Sequence, residues 1–449
     1  MELFITLVQF FAGLSILIIL HEAGHFFAAK FFGVRVEKFY LFFDFLFPFP
    51  DVAKFALIKK QIGETEYGIG WFPFGGYVQM SGIMDESMDK EALEQPVQSY
   101  EFRAKPAWQR LIILLGGIIV NVLVAFFMYS LVAGIWGDSY LKVDDQPYGI
   151  YVDSLGASIG LQNGDIITQV NGKDIDDAAK VKIDMLFNLA DNITYVRNGE
   201  SHKIEGISKD FYKYYMDNAD KVLLFETAAK SVIDSITSET LKASGAQAGD
   251  QIIEFEGKPI AYHQDLLLAK RGYGDKDVDF KVLRGADTLA LTTHLSENGL
   301  FGFSTSTDEY KITTKKYSFF GALIRGPQKT WETLMFYIGQ FKLIFDKDVK
   351  GYKQIGGFGT IAKFYSGGFS WYAFLNKTAF ISIILAFMNL LPIPALDGGH
   401  AMFTIYEMIF RKPPPEKFMY YAQMAGMAFL FALLIYANGN DIFRWLFGN

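Results

Sequence analysis

Leu3-Phe-Ile-Thr-Leu-Val-Gln-Phe-Phe-Ala-Gly-Leu-Ser-Ile-Leu-Ile-Ile-Leu20 runs without a charged residue into His21-Glu22-Ala23-Gly24-His25. A helix needs about 20 mostly apolar residues to cross the hydrocarbon core of a bilayer. This one ends in ionisable side chains, which are costly at membrane depth and mark function there. Histidines four apart lie on one helical face, where both can reach one zinc ion. The glutamate beside the first can act as a general base toward a water held there. A cleaved signal peptide would need a basic leading segment and a small-residue cleavage site, and the stretch has neither. The expectation is a retained membrane helix that carries part of a metal site.

Working outward, three more blocks lack Lys, Arg, Asp and Glu: 111–136, 378–396 and 418–440. Half of the 449 residues are hydrophobic, and that excess sits in these blocks. Four spans are therefore expected, enclosing a loop at 26–106, a long polar block at about 138–320 and a short loop at 411–417. Lys30, Arg35, Lys38, Lys54, Lys59, Lys60, Arg103 and Lys105 fill the first loop, and Arg411, Lys412 and Lys417 the last. The excess of positive charge places both loops in the cytosol and the polar block on the far side. A net charge of −7 gives no reason to expect nucleic acid as a partner. The absence of cysteine excludes disulfides, thiolate zinc ligands and a cysteine nucleophile.

The polar block contains a repeat. Gly160-Leu-Gln-Asn-Gly164-Asp165-Ile-Ile returns as Gly245-Ala-Gln-Ala-Gly249-Asp250-Gln-Ile, each copy followed by an alternating strand and a second Gly turn at Gly172 and Gly257. The pattern resembles PDZ domains, which bind extended peptides by adding a strand to a sheet edge. The bland alternative is a pair of folded spacers. Between the repeat and the third span, 329–345 has the spacing of an amphipathic helix, and Gly356-Gly-Phe-Gly suits a re-entrant or close-packed segment.

A third metal ligand must come from elsewhere. No third histidine follows the motif in the metzincin manner; the chain reads Phe26-Phe-Ala-Ala-Lys30. Glu37, Glu64 and Glu66 lie in a loop without helical pattern. The remaining polar cluster in apolar sequence is Asn389-Leu-Leu-Pro392-Ile-Pro394-Ala-Leu396-Asp397-Gly398-Gly399-His400. Its prolines and glycines are expected to break the third span and free backbone to line a cavity. His21, His25 and Asp397 with a water make a four-coordinate catalytic site, with His400 a rival ligand.

Taken together, these features resemble the site-2 protease family of intramembrane zinc metalloproteases, in its bacterial branch with tandem PDZ domains. His-Glu-x-x-His in the first span, Asn-x-x-Pro-x-x-x-Leu-Asp-Gly in the third and the repeats between carry the likeness across nearly the whole chain. The resemblance implies zinc on His21, His25 and Asp397, Glu22 as catalytic base and Asn389 in contact with substrate. Gly117-Ile-Ile-Val-Asn121 is similar to the family's Gly-x-x-x-Asn motif, with Ile118 where a proline is often found. Asn121 is thus a candidate either for the substrate site or for a bond across helices. Gly70-Trp-Phe-Pro-Phe-Gly75-Gly76-Tyr77-Val78 resembles its re-entrant β-hairpin, so Gly70, Gly75 and Gly76 join the candidate substrate-binding set.

The implied fold is a polytopic α-helical membrane protein with four core spans and a re-entrant β-hairpin, plus two mixed α/β PDZ-like domains. Its segments are 1–136 with the first two spans, 138–226 and 227–310 for the PDZ-like domains, 311–370 as linker, and 371–449 with the last two spans. The implied activity is cleavage of single-pass membrane proteins in a bacterial cytoplasmic membrane after a first extracytoplasmic cut, on anti-sigma factors or remnant signal peptides. The active site is expected toward the cytosolic side and the PDZ-like domains outside, as a size filter or peptide grip. The alternatives are an inert membrane scaffold that binds peptides through its PDZ domains, and a transporter using its intramembrane His and Asp for ion coupling.

Overall fold

The computed structural model describes residues 2–46, 52–83, 96–219, 221–347, 349 and 351–447. The chain folds into two compact units: Met1–Gly137 with Lys316–Ile338 and Lys353–Asn449, and Asp138–Lys315 with Gly339–Tyr352.

In the first unit, α1 (Glu2–Phe31) leads to a four-stranded sheet and then to α2 (Ala107–Ile135). After Lys315 come α3 (Phe319–Ile344), whose residues from Gly339 on belong to the second unit, and then α4 (Phe358–Phe364), α5 (Trp371–Leu390), α6 (Asp397–Phe410) and α7 (Glu416–Phe447). Among the described residues, α1, α2, α5 and the stretch Lys417–Leu446 of α7 are long and apolar enough to cross a membrane, as the four blocks anticipated. Their outward side chains stay apolar: Phe4, Phe27, Phe127 and Phe443 are all more than 60% exposed, which suits lipid rather than water.

The centre of this unit is α2, which packs against α1, α5 and α6. It meets α1 where a β-carbon on Gly24 would collide with the Gly116 carbonyl, and one on Gly117 with the rings of His21 and His25. Small residues let two backbones approach, which is how helices associate without a hydrophobic drive. Ala125, Met128 and Tyr129 of α2 then pack on Ala379 and Ile383 of α5. The helix α3 begins ten residues before the amphipathic stretch read from the sequence. Gly326 sits against Ser130 and Phe126 of α2, so that this part of α3 is packed on a span.

The sheet has the strand order β2-β3-β1-β4, with β1 at Val36–Leu41, β2 at Ala56–Ile62, β3 at Thr65–Gly70 and β4 at Tyr77–Met80. The hairpin expected at Gly70–Val78 is therefore a crossing. The actual hairpin joins β2 to β3, and β4 pairs with β1 instead of β3. Gly70, Gly75 and Gly76 are outside the left-handed region among the described backbone angles. Packing requires them instead. A β-carbon at Gly70 would meet the Phe43 backbone, at Gly75 the Phe43 ring, and at Gly76 Ile18 and the Tyr40 carbonyl. The edge strands are β2 and β4.

The second unit holds two modules of the same design. In the first, the strand Ile166–Val170 lies between Lys173–Asp174 and Asn192–Arg197, with Glu200–Glu205 beyond. In the second, Gln251–Phe255 lies between Lys258–Pro259 and Asp277–Arg284, with Asp287–His294 beyond. Each adds a short antiparallel pair, Ile150–Val152 with Phe225–Thr227 and Ile233–Ile236 with Phe303–Thr305. Each has its own core, around Met185, Ile193 and Tyr212 in one and Phe255, Phe280 and Val282 in the other.

The repeated Gly-Asp turn is a lock. The Asp165 and Asp250 side chains are buried, and each takes two hydrogen bonds of 2.7 Å from one arginine, Arg197 or Arg284. The same guanidinium donates to the Gly160 or Gly245 carbonyl, and the carboxylate also accepts the backbone N–H of Gln162 or Gln247. Gly164 and Gly249, with φ near 90°, make the turn that aims the carboxylate inward. The Gly-Asp pair was visible as a repeat. Its arginine was not, because it lies a strand away in each copy.

Candidate metal centre

The motif His21-Glu22-Ala23-Gly24-His25 lies inside α1, which continues for a turn and a half beyond it. Both imidazoles turn toward α2, with ring centroids 4.9 Å apart. Across from them, α5 ends at Leu390 and Asp397 opens α6. The break between is where the prolines fall, as expected, but Gly398 and Gly399 lie inside α6. Side chains there would strike the carbonyls of Leu390, Leu391 and Ile393. Small residues thus let α6 start directly under the broken segment and bring Asp397 inward. Ala395 carries φ 91°, a conformation costing on the order of 1–3 kcal/mol that the surrounding packing must hold.

The result is a tight convergence. Asp397 Oδ2 is 3.2 Å from His21 Nε2 and 3.3 Å from His25 Nε2, and the two Nε2 atoms are 3.3 Å apart. Among the described residues, these three side chains form the group able to hold a metal ion. His25 Nδ1 donates to the Ile113 carbonyl at 2.9 Å, which leaves the Nε2 lone pair free for a metal ion. A carboxylate oxygen and two imidazole nitrogens converge on one point, and with both Nε2 atoms unprotonated, as that of His25 is, the three are acceptors with no donor among them, a set that fits a divalent cation. His400 lines the same cavity from the first turn of α6 but is not part of the converging trio. Glu66, weighed in the sequence, accepts from Tyr40 Oη at 2.7 Å within the sheet.

A cavity of about 430 Å³ opens onto this centre and is walled by Glu22, Asn121, Asn389, Gly75, Gly76 and Tyr77, among others. Asn389 Nδ2 lies 3.3 Å from His21 Nε2. Asn121 is fully buried, with Nδ2 3.1 Å from His21 Nδ1. Gly70, read with the substrate set, is not among the lining residues. Sequence reasoning missed other walls: Phe358 of α4, which meets the Phe74 ring at 4.2 Å, and Asp44, which accepts from Tyr77 Oη at 3.0 Å. The glycine-rich stretch before Phe358 is clasped by α7. Asp441 accepts from the Gly357 and Thr360 amides, and Asn438 from that of Phe358. The Ile113 carbonyl left no trace in sequence, since every residue has one.

The family model described as Peptidase family M50 matches residues 9–433. A Vibrio cholerae protein whose name includes the words "zinc metalloprotease" is 28% identical over 97% of this chain and 98% of its own length. The regulator of sigma-E protease RseP of Salmonella typhimurium is 27% identical, and that of Escherichia coli 26%, each over 98% of both chains. This chain belongs to peptidase family M50, the site-2 proteases.

Proposed function

We propose that this M50 peptidase is an intramembrane zinc endopeptidase that cuts transmembrane segments of other proteins. The observation that carries the reading is the convergence, in one cavity with Glu22, of His21 and His25 from a helix long and apolar enough to span a membrane with Asp397, which opens the short helix that follows another such span. Zinc held by the three side chains would supply Lewis-acid polarisation of water and of the scissile carbonyl. Glu22, one residue from the first ligand and facing the same cavity, would take the proton from the attacking water and return it to the leaving amine. Asn389, whose amide nitrogen lies beside His21 in the same cavity, would orient the substrate carbonyl.

A helical substrate hides its carbonyls in its own hydrogen bonds, so it must unwind before it can be cut. The edge strand β4 begins at the cavity wall, and Gly76 brings its backbone against Ile18 and Glu22 of α1. An unwound segment added to β4 regains partners for its N–H and C=O groups beside the general base. The paired strand β3 has no free edge for this, so β4 takes the role first read into Gly70 and its neighbours. The likeness to proteases named as regulators of sigma-E points to anti-sigma factors or remnant signal peptides already cut outside a bacterial cytoplasmic membrane.

The two modules read as PDZ-like domains on the extracytoplasmic side, and as a size filter ahead of a peptide grip. In the first, the groove between Ala178–Phe187 and Phe225–Thr227 encloses only about 160 Å³. Lys182 Nζ already donates there to the Leu223 and Phe225 carbonyls, at 3.0 and 3.2 Å. The protein's own side chain takes the acceptors an added strand would use.

The test is reconstitution. Purified protein with a single-pass substrate in proteoliposomes should cut within the membrane segment, stop when zinc is stripped by a chelator, and resume on zinc addition. Cleavage unaffected by stripping, or confined to soluble loops, refutes the reading. An inert scaffold or a transporter would cut nothing under any condition.

A further inference from the structure

Asn121 of α2 is buried completely, and its side-chain amide faces the ring of His21. Ser382 of α5 donates to the Asn121 backbone carbonyl at 2.7 Å, so two helices fix where this residue stands. Its Nδ2 is 3.1 Å from His21 Nδ1, while Oδ1 is buried without a hydrogen-bond partner. An amide N–H of Asn121 donating to Nδ1, with the amide nitrogen of Asn389 also 3.3 Å from the other ring nitrogen, would leave the single ring proton on Nε2. That is the atom converging with Asp397 and His25. A histidine cannot both carry its proton on Nε2 and offer Nε2 to a metal.

We infer that Asn121 is a positioning residue for His21: in the loaded site its amide is turned about Cβ–Cγ so that Oδ1 accepts the proton of Nδ1. This rests on the zinc reading above. The amide's oxygen and nitrogen are nearly isosteric, and which faces the ring follows from the hydrogen-bond network. Either orientation makes one hydrogen bond to the ring, and the tautomer demanded at Nε2 selects between them. The neighbouring ligand obeys the same rule from the same helix, where the Ile113 carbonyl accepts from His25 Nδ1 at 2.9 Å. Thus α2 contributes no ligand, yet it sets the tautomer of both histidines, one through backbone and one through an amide. Gly117, four residues before Asn121 and on the same helical face, gives the rings the room to meet it.

Two variants and one spectrum test this. Asn121→Asp keeps an acceptor for Nδ1–H and removes the donor; Asn121→Leu removes both. Zinc affinity, read by chelator competition, should fall about 10- to 100-fold in the leucine variant and stay within about threefold of wild type in the aspartate variant. Thermal unfolding of the zinc-free proteins separates this from lost packing between helices. In wild type, ¹⁵N-histidine NMR of the zinc-loaded protein should find the His21 proton on Nδ1. Equal weakening in both variants, unchanged affinity in the leucine variant, or an unprotonated Nδ1 overturns the inference. A wild-type protein that takes up no zinc overturns the parent reading instead. If the leucine variant does not fold, the spectrum and the aspartate variant decide.

Discussion

Asp250 is a carboxylate fully withdrawn from water and Asp397 one partly withdrawn, and they are treated in opposite ways. Asp250 is met by a bidentate guanidinium and a backbone N–H, so its lone pairs are spent. Asp397 faces two imidazole nitrogens at 3.2 and 3.3 Å, which themselves have lone pairs to offer. A buried charge is tolerated when paired and hydrogen-bonded. The first arrangement is complete without any visitor and therefore structural. The second gathers acceptors around a point where a cation belongs, and that makes it a site. The same residue type, in one chain, is a bolt in one unit and the proposed ligand in the other.

Substitutions at both carboxylates and their neighbours can break this contrast, and the largest effect belongs to the site. Glu22→Gln should keep zinc, since no ligand is lost, and slow cleavage of a transmembrane substrate by about 10²- to 10⁴-fold, because an amide cannot take the water's proton. Zinc content and turnover of the purified variant check this; turnover near wild type removes Glu22 from the role of base. Asp397→Asn should lower zinc affinity and cleavage together, the anionic ligand having been removed. If both survive, His400 is the third ligand and the contrast with Asp250 collapses.

The lock should respond differently. Arg284→Met leaves Asp250 buried without its guanidinium, and should lower the unfolding temperature of the second module while sparing cleavage of a pre-trimmed substrate. Thermal unfolding and limited proteolysis measure the first part. Burial alone would raise the Asp250 pKa, but the hydrogen bonds from Arg284 and the Gln247 amide outweigh it and hold the group below the ordinary carboxylate range. A carboxyl whose pKa is lowered on folding stabilises the fold above its unfolded pKa. That stability drains away as pH falls through the folded value. The second module should therefore weaken in acid below the ordinary aspartate range, and Arg284→Met should flatten that dependence. A slope unchanged by the substitution would refute the assignment.

The smallest effect on the chemistry is expected from removing the modules altogether. Deleting about 138–309 should leave turnover of trimmed substrates near wild type, and should let the enzyme cut substrates whose ectodomains are intact. If the deleted protein still rejects intact substrates, the filter lies elsewhere.

The four spans, the metal motif and the repeat were legible because each is written locally. Hydropathy needs only a run of residues, and a helix puts His21 and His25 on one face by spacing alone. Asp397 could be read because a carboxylate within apolar sequence needs a reason to be there. What lay beyond reading depended on contacts between distant segments. The sheet order that puts β4, and not β3, at an edge follows from β1 inserting between them, which no local pattern encodes. Gly70, Gly75 and Gly76 look like turn residues in sequence, yet they are glycines because Phe43, Tyr40 and Ile18 occupy the space of a side chain. Arg197 and Arg284 are unremarked arginines until folding places each on a buried aspartate. Asn121 and the Ile113 carbonyl acquire meaning only when Gly24 and Gly116 let α1 and α2 close on each other. The sequence determined which groups were available; the approach of backbones decided which of them meet, because hydrogen bonds act over about 3 Å and metal ligation over about 2 Å, and chain order does not set distances on that scale.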